Sequence, residues 1–202
     1  MLPVAIRASF VAVLFCTVGL GSTIGSGVFN PANGHTYVLL DKSAWTVAEA
    51  EAVSLGGHLA SVNNAAENQF LLDAFCSGAD SKRVLWIGLT DDGNEGHFRW
   101  TSGEPLTYTN WFTGEPNNKA IGGGAENFVS FNWNFSLPEA TASTPRGTWN
   151  DDIDIGHQDS SKPTTPGPFN GVAELVPEPS HFLLLATAAL LLLVRRRRVH
   201  PN

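Results

Sequence analysis

Carboxylate and amide oxygens are concentrated in short clusters in the second half of this chain. Glu115-Pro116-Asn117 comes first, Glu126-Asn127 follows, and Trp149-Asn150-Asp151 comes last, separated by segments rich in Gly, Asn, Ser and Thr. Oxygens of this kind suit a hard cation. Calcium takes six to eight of them from carboxylates, side-chain amides and backbone carbonyls. Glu115, Asn117, Glu126, Asn150 and Asp151 together supply most of such a shell. A cis bond before Pro116 would aim the oxygens of Glu115 and Asn117 at one point, and an X-Pro bond adopts cis at a cost of only about 0.5–1 kcal/mol. The plainer reading of each cluster is a solvated turn, since Pro and Asn both favour turns. Taken alone, Glu115-Pro116-Asn117 favours the turn reading.

Other chemistries find less support. No Ser-His-Asp grouping and no pair of histidines at helical spacing occurs, so neither a hydrolase triad nor a helical zinc site is expected. A glycosidase would need two opposed carboxylates. Charge excludes further classes. Arg7 and Arg195 to Arg198 account for five of the twelve basic residues, and all nineteen acids lie between them. The central part therefore carries seven basic residues against nineteen acids, a net charge of −12. Such a surface argues against nucleic acid and against anionic lipid head groups.

Several elements must position the oxygens. Residues 34–40 are rich in β-formers and predict an opening strand. Thr46 and Glu49 have capping-box spacing, and Trp45, Ala48, Ala52 and Leu55 recur at helical intervals until Gly56-Gly57 stops the helix. Asn64 and Glu67 repeat the capping signature before a second helix through Phe70, Leu71, Ala74 and Phe75. Residues 84–89 are apolar without alternation, as in a strand buried on both faces. Further strands are expected at 96–100, 128–131, 146–149 and 171–176, with an irregular insertion at 132–145.

Both ends have the form of addresses. Arg7, an apolar run over 8–20 and small residues over 21–27 follow the order of a secretory signal, assigned to residues 1–26. At the other end, Val176-Pro177-Glu178-Pro179-Ser180 leads into an apolar run over 182–194 and four arginines. At about 1.5 Å per residue that run spans roughly 20 Å, short of a hydrocarbon core of about 30 Å. The arginines would stay cytoplasmic and leave the body of the chain outside. Residues 176–202 resemble a PEP-CTERM sorting tail, which implies an exopolysaccharide-making Gram-negative bacterium and processing by an exosortase at the membrane. An ordinary single-span anchor is the alternative.

Between these ends, residues 30–177 form one domain-sized segment. Its order of strand, two helices and short strands broken by one long loop resembles the C-type lectin-like family. Trp45, the run from Gly56 to Ser61 and Trp86-Ile87-Gly88-Leu89 carry the resemblance, together with Glu115-Pro116-Asn117 and Trp149-Asn150-Asp151. It covers nearly all of residues 34–176. The implied fold is α+β: two helices packed on small, mostly antiparallel sheets, with a long irregular loop that binds calcium and sugar. The implied site is one calcium held by Glu115, Asn117, Glu126, Asn150 and Asp151, which also hydrogen-bond two sugar hydroxyls. Glu-Pro-Asn goes with mannose-type glycans in this family, and no enzymatic activity is implied. Asp91 and Glu95 match two ligands of a weaker second calcium site. They equally suit a polar turn. The family commonly carries two disulfides, whereas this segment keeps only Cys76, with Ala52, Ala173 and Phe128 near the usual cysteine positions. A packed core is expected to replace the bridges. A lectin-fold protein-interaction module without sugar binding remains the alternative function.

Overall fold

The computed structural model describes residues 23–120, 124–138, 140–156 and 167–177. Most of residues 1–26, the apolar run at 182–194 and the arginine cluster lie outside the described residues. Among the described residues no helix is long and apolar enough to cross a membrane.

The chain forms strands β1 (Val28–Asn30), β2 (His35–Ser43), β3 (His58–Leu59), β4 (Leu85–Thr90), β5 (Arg99–Trp100), β6 (Phe128–Phe131), β7 (Trp149–Asp152) and β8 (Phe169–Leu175). Helices α1 (Trp45–Ser54) and α2 (Ala65–Phe75) fall between β2 and β4, and a single turn, α3 (Trp133–Ser136), follows β6. The fold class is α+β, as expected, but the strands join one continuous path in the order β1-β2-β8-β4-β6-β7, with β3 on β8 and β5 on β4. All neighbours are antiparallel except β4 and β8.

Alternation along the strands divides the interior into two cores. Tyr37 and Leu39 of β2, Leu85, Ile87 and Leu89 of β4, and Val172 of β8 face the side covered by Leu71, Leu72 and Phe75 of α2. Val38, Leu40, Trp86, Phe169 and Ala173 face the other side, where Trp45, Ala48 and Ala52 of α1 pack. That is why residues 84–89 lack alternation: every residue of β4 is buried. Ala52, Ala173 and Phe128 all lie in the α1 core. A disulfide typically contributes about 2–4 kcal/mol, and burying a Phe side chain contributes about 1.5–3 kcal/mol. Close packing of Phe128 therefore offsets much of what a bridge would add.

The helix ends agree only partly with the sequence signals. Asn64 caps α2, its side chain accepting the Glu67 N–H at 2.9 Å. Helix α1 ends as expected: Gly56 takes φ +89°, its N–H bonds to the Val53 carbonyl, and Gly57 N–H reaches back to Ala52. A Cβ at Gly57 would stand 2.0 Å from the Glu174 carbonyl oxygen, so β8 requires glycine there. The start of α1 differs from expectation. Its cap position is Ala44, which has no side-chain oxygen to offer, and Thr46 lies inside the helix. Glu49 turns instead to His58 Nδ1 at 2.6 Å and Leu59 N–H at 2.8 Å. Of the strand expected at 96–100 only Arg99–Trp100 pairs, since His97 N–H closes a turn onto Asn94. The strand expected at 146–149 starts at Trp149 and runs on to Asp152. The insertion after β6 contains α3, which starts from Asn132 in the left-handed region at φ +67°.

Candidate functional site

Between β5 and β6 the described residues of 101–127 form no regular helix or strand, and one bridge between Trp111 and Trp149 ties this loop to β7. Backbone bonds reinforce it: Trp149 N–H donates to Asn110 O at 2.9 Å, and Phe112 N–H donates to Trp149 O at 2.9 Å. Trp149 is fully buried, with its indole N–H on Asn68 Oδ1 at 2.9 Å. Trp100, Tyr108 and Trp111 meet it edge-on at 5.7–5.8 Å. This aromatic nest holds the strand from which Asn150 and Asp151 project. Sequence inspection did not single out Asn68, Tyr108, Asn110 or Trp111. The only available signal was the aromatic density of residues 108–112.

Strand β7 pairs residue for residue with β6, setting Asp151 opposite Val129 and Asn150 opposite Ser130. Both Asp151 oxygens accept the Asn117 N–H, at 3.1 and 3.0 Å, and Oδ2 also accepts the Asn118 N–H at 2.7 Å. The Glu115-Pro116 peptide is cis. Asn117 Nδ2 donates to Glu115 Oε2, and Asn150 Nδ2 donates to the Asp151 carbonyl at 2.5 Å. Glu126 is clipped to the same loop from both directions. Its Oε2 accepts the Lys119 N–H at 2.7 Å, while its own N–H donates to Asn118 Oδ1 at 2.8 Å. These two bonds close the base of segment 119–125, so the added length before Glu126 does not carry it away from Asp151. Asn118 takes φ +49°, a conformation Asn tolerates, and its role as a clip was not foreseen.

All five side chains singled out in the sequence thus fall in one connected region, and Glu126, Asn150 and Asp151 are buried. Crowding of acids leaves an electrostatic mark. Glu115 is pushed up to about 7 by burial, by its hydrogen bond and charge interaction with Asp151, and by Glu126, against a lowering bond from Asn117. Burial pushes Glu126 up to about 7 as well, with Asp151 adding to the rise and the Lys119 N–H opposing it. Asn117 Oδ1 is buried with no hydrogen-bond partner. An unpartnered buried acceptor amid unfavourably charged carboxylates is what a cation would relieve. Among the described residues no three Asp, Glu, His or Cys side chains make a metal group by themselves. A shell here needs the amide and main-chain oxygens of Asn117, Asn150 and Asp151, which suits calcium rather than a transition metal. The donor set fits that ion.

Asp91 and Glu95 lie nearby. Asp91 is buried, its Oδ2 accepts the Gly96 N–H at 2.8 Å, and its Oδ1 has no hydrogen-bond partner. Glu95 is exposed. Its carboxyl is pushed above the ordinary range by desolvation and by the charges of Asp91 and Asp151. Asn127 joins this turn to the main cluster: its carbonyl accepts Thr90 Oγ1 at 2.6 Å and Asp91 N–H at 3.2 Å, and its amide donates to Asp92 at 3.2 Å.

Comparison with known proteins places this geometry. The family model described as the Lectin C-type domain matches residues 41–153. Ladderlectin of Oncorhynchus mykiss is 40% identical over 90 residues, covering 45% of this chain and 46% of that protein. The chain spans about half the length, or less, of the curated relatives it matches. Among solved structures, the C-type lectin CEL-I from Cucumaria echinata superposes with a TM-score of 0.54 at 29% identity, over 71% of this chain and 91% of that one. The cow C-type carbohydrate-recognition domain of CD23, solved in the presence of GlcNAc2Man3 oligosaccharide, gives a TM-score of 0.54 at 25% identity, over 78% and 98%. With more than half of its length matched to the family and its strands, helices and long loop in the arrangement of these neighbours, this chain belongs to the C-type lectin domain family.

Proposed function

We propose that this protein is a calcium-dependent lectin, not an enzyme, that binds mannose-type glycans through the loop between Glu115 and Asp151. The observation that carries this reading is the buried, unpartnered Oδ1 of Asn117 amid Glu115, Glu126 and Asp151. Glu115, Asn117, Glu126, Asn150 and Asp151 would hold the ion. Bound there, calcium supplies open coordination positions for two neighbouring hydroxyls of one sugar. The side chains supply the rest of the recognition. Carboxylates accept from each hydroxyl and the Asn amides donate to it, so both kinds of partner meet the sugar at one edge. Glu115-Pro116-Asn117 is the family pattern for mannose-type sugars, and a relative crystallised with a Man3-containing oligosaccharide is consistent with that preference. Asp91 and Glu95 would form a weaker calcium site, because fewer charged ligands bind the ion less tightly.

The chain ends extend the proposal. An export signal at 1–26 and a tail at 176–202 of the PEP-CTERM kind would place the lectin in a bacterial cell envelope, on the surface or in an exopolysaccharide matrix. An exosortase would be the processing partner. The test is calorimetric titration of calcium into the chelator-treated protein, followed by mannose-type glycans. Saturable calcium binding with a raised unfolding temperature and calcium-dependent glycan binding is expected. An absence of calcium binding at millimolar concentration would overturn the reading.

A further inference from the structure

The first turn of α1 lacks a local cap, and the residue that supplies one lies in the turn just after β7, the strand that carries Asn150 and Asp151. The first N–H groups of a helix have no partner within it. Here Trp45 N–H donates to the Asp154 carbonyl at 2.7 Å, and Thr46 N–H donates to Asp154 Oδ1 at 2.8 Å. Thr46 Oγ1 donates to Asp154 Oδ2 at 3.0 Å. An acidic group at this end also meets the positive end of the helix dipole. Asp154 stands three positions beyond Asp151, whose carboxylate grips the Asn117 and Asn118 backbone. The intervening chain is short and turned, with Ile153 N–H on Asp152 Oδ1 at 2.9 Å and Gly156 N–H on Ile153 O at 2.9 Å.

A second contact joins the same helix turn to the neighbouring strand. The Trp45 indole N–H donates to Ile87 O at 2.8 Å, and its ring packs on Phe128 at 4.6 Å between centroids. Phe128 opens β6, two positions after Glu126, and pairs with Asp152 of β7. The first turn of α1 therefore fastens the start of β6, just after Glu126, and the turn that follows β7, the strand of Asn150 and Asp151. Asp154 lies just beyond the segment matched to the family, residues 41–153.

We propose that Asp154 is a positioning residue for the calcium site, coupling the start of α1 to the Asp151 strand through Trp45 and Thr46. This inference rests on the calcium reading of the Glu115–Asp151 cluster. Coupling of this kind is reciprocal: what the helix does for the site, an occupied site must do for the helix.

The test compares calcium dissociation constants of wild type, Asp154→Ala, Asp154→Asn and Asn64→Ala by calorimetry, well below the unfolding temperature. Asn64→Ala removes a cap of similar kind from α2, which meets the start of β7 through Asn68 and Trp149 rather than the segment beyond Asp151. Asp154→Ala is expected to weaken calcium binding about fivefold, the size of one lost cap carried into the site. Asn64→Ala should lower thermal stability comparably and leave calcium affinity unchanged. Asp154→Asn keeps an acceptor for Thr46 N–H and should recover part of the affinity. Wild-type affinity in Asp154→Ala, or an equal loss in Asn64→Ala, would overturn the inference while leaving the lectin reading intact. Absence of calcium binding by the wild type would overturn both. Should Asp154→Ala fail to fold, amide exchange in the wild type decides. Added calcium should slow exchange at Trp45 and Thr46 more than at Glu67, and equal slowing would refute the coupling.

Discussion

Asp151 holds the backbone of Asn117 through both carboxylate oxygens, at 3.1 and 3.0 Å, and reaches the Asn118 N–H through one of them at 2.7 Å. A single buried side chain on β7 therefore fixes the path of the loop that carries Glu115 and Asn117. If the loop holds calcium as proposed, loop geometry and charge for the cation come from the same residue, and folding of the loop would be tied to ion binding.

Asp151→Asn tests that double role. The amide loses half of the acceptor capacity and all of the charge. Calcium binding should fall at least tenfold, and the loop around Asn117 should become a site of rapid proteolytic cleavage. Calorimetry and limited proteolysis would check the two effects separately. Loss of calcium binding with an unchanged cleavage pattern would show that the loop holds its path without Asp151.

Protons should compete with calcium at this site. Glu115 and Glu126 are both pushed up to about 7 in the cation-free protein, by burial first and then by their acidic neighbours. Ion binding requires both to be charged, so calcium affinity should fall as pH drops below about 7 and level off above it. Near pH 7 binding should release protons, visible as calorimetric heats that change with the ionisation enthalpy of the buffer. Stability runs the other way in the cation-free protein. A carboxyl raised in the folded state contributes stability below its unfolded value, and that contribution is lost as pH rises through the raised one. The cation-free form should therefore become easier to unfold between about pH 4.5 and pH 7. Denaturation series with and without calcium would check the opposite slopes.

How far the sequence alone reached depends on whether a feature is local. The cap by Asn64, the Gly56-Gly57 stop and the doubly buried β4 depend on neighbours within a few positions, so composition and spacing were sufficient. The grouping of Glu115, Asn117, Glu126, Asn150 and Asp151 in one region followed from resemblance, since nothing in their spacing brings residue 115 to residue 151. Contacts across long separations were missed. Glu49 has the spacing of a capping box, yet its carboxylate turns to His58 and Leu59, while Asp154 arrives from the far end of the domain to do the capping. Asn118 likewise carries no local signal of its part in the clip, where its Oδ1 accepts the Glu126 N–H across eight positions.

Exchanging acid and amide in the tripeptide should redirect sugar preference. Glu115→Gln with Asn117→Asp keeps the size of both side chains and reverses which of them donates. Preference should move from mannose-type toward galactose-type sugars with calcium affinity retained within about tenfold, since one carboxylate remains in the pair. Calcium-dependent glycan binding measured in parallel on both sugar classes is the check. Unchanged preference would remove the assignment of these two residues to sugar selection.

The α2 core contains a second acidic cluster whose role is structural. The Tyr37 hydroxyl lies 2.5 Å from Glu67 Oε1 and 2.8 Å from Glu174 Oε1, and Asn33 Nδ2 donates to it at 2.8 Å. His35 Nδ1 meets Glu174 Oε1 at 2.5 Å, and the Ser61 N–H donates to Glu174 Oε2 at 2.9 Å. The β1–β2 turn, α2 and β8 are thereby tied through one buried hydroxyl, and Ser61, beyond β3, joins them through Glu174. Tyr37→Phe keeps the ring that packs on Phe70 but leaves two buried carboxylates short of a donor, at a cost of about 1–3 kcal/mol. Equilibrium denaturation should show that loss, while calcium affinity stays at the wild-type value. The cluster also has a pH signature. Burial raises Glu174 above its ordinary range, with Glu67 adding to the rise and the bonds from His35, Ser61 and Tyr37 opposing it. Stability from this group is full at low pH and is lost as pH climbs through the raised value. Glu174→Gln removes the titrating proton and keeps an acceptor for Ser61. Its stability should therefore vary less with pH above about 4.5 than that of the wild type, and an equally steep profile would mean that Glu174 is ionised throughout.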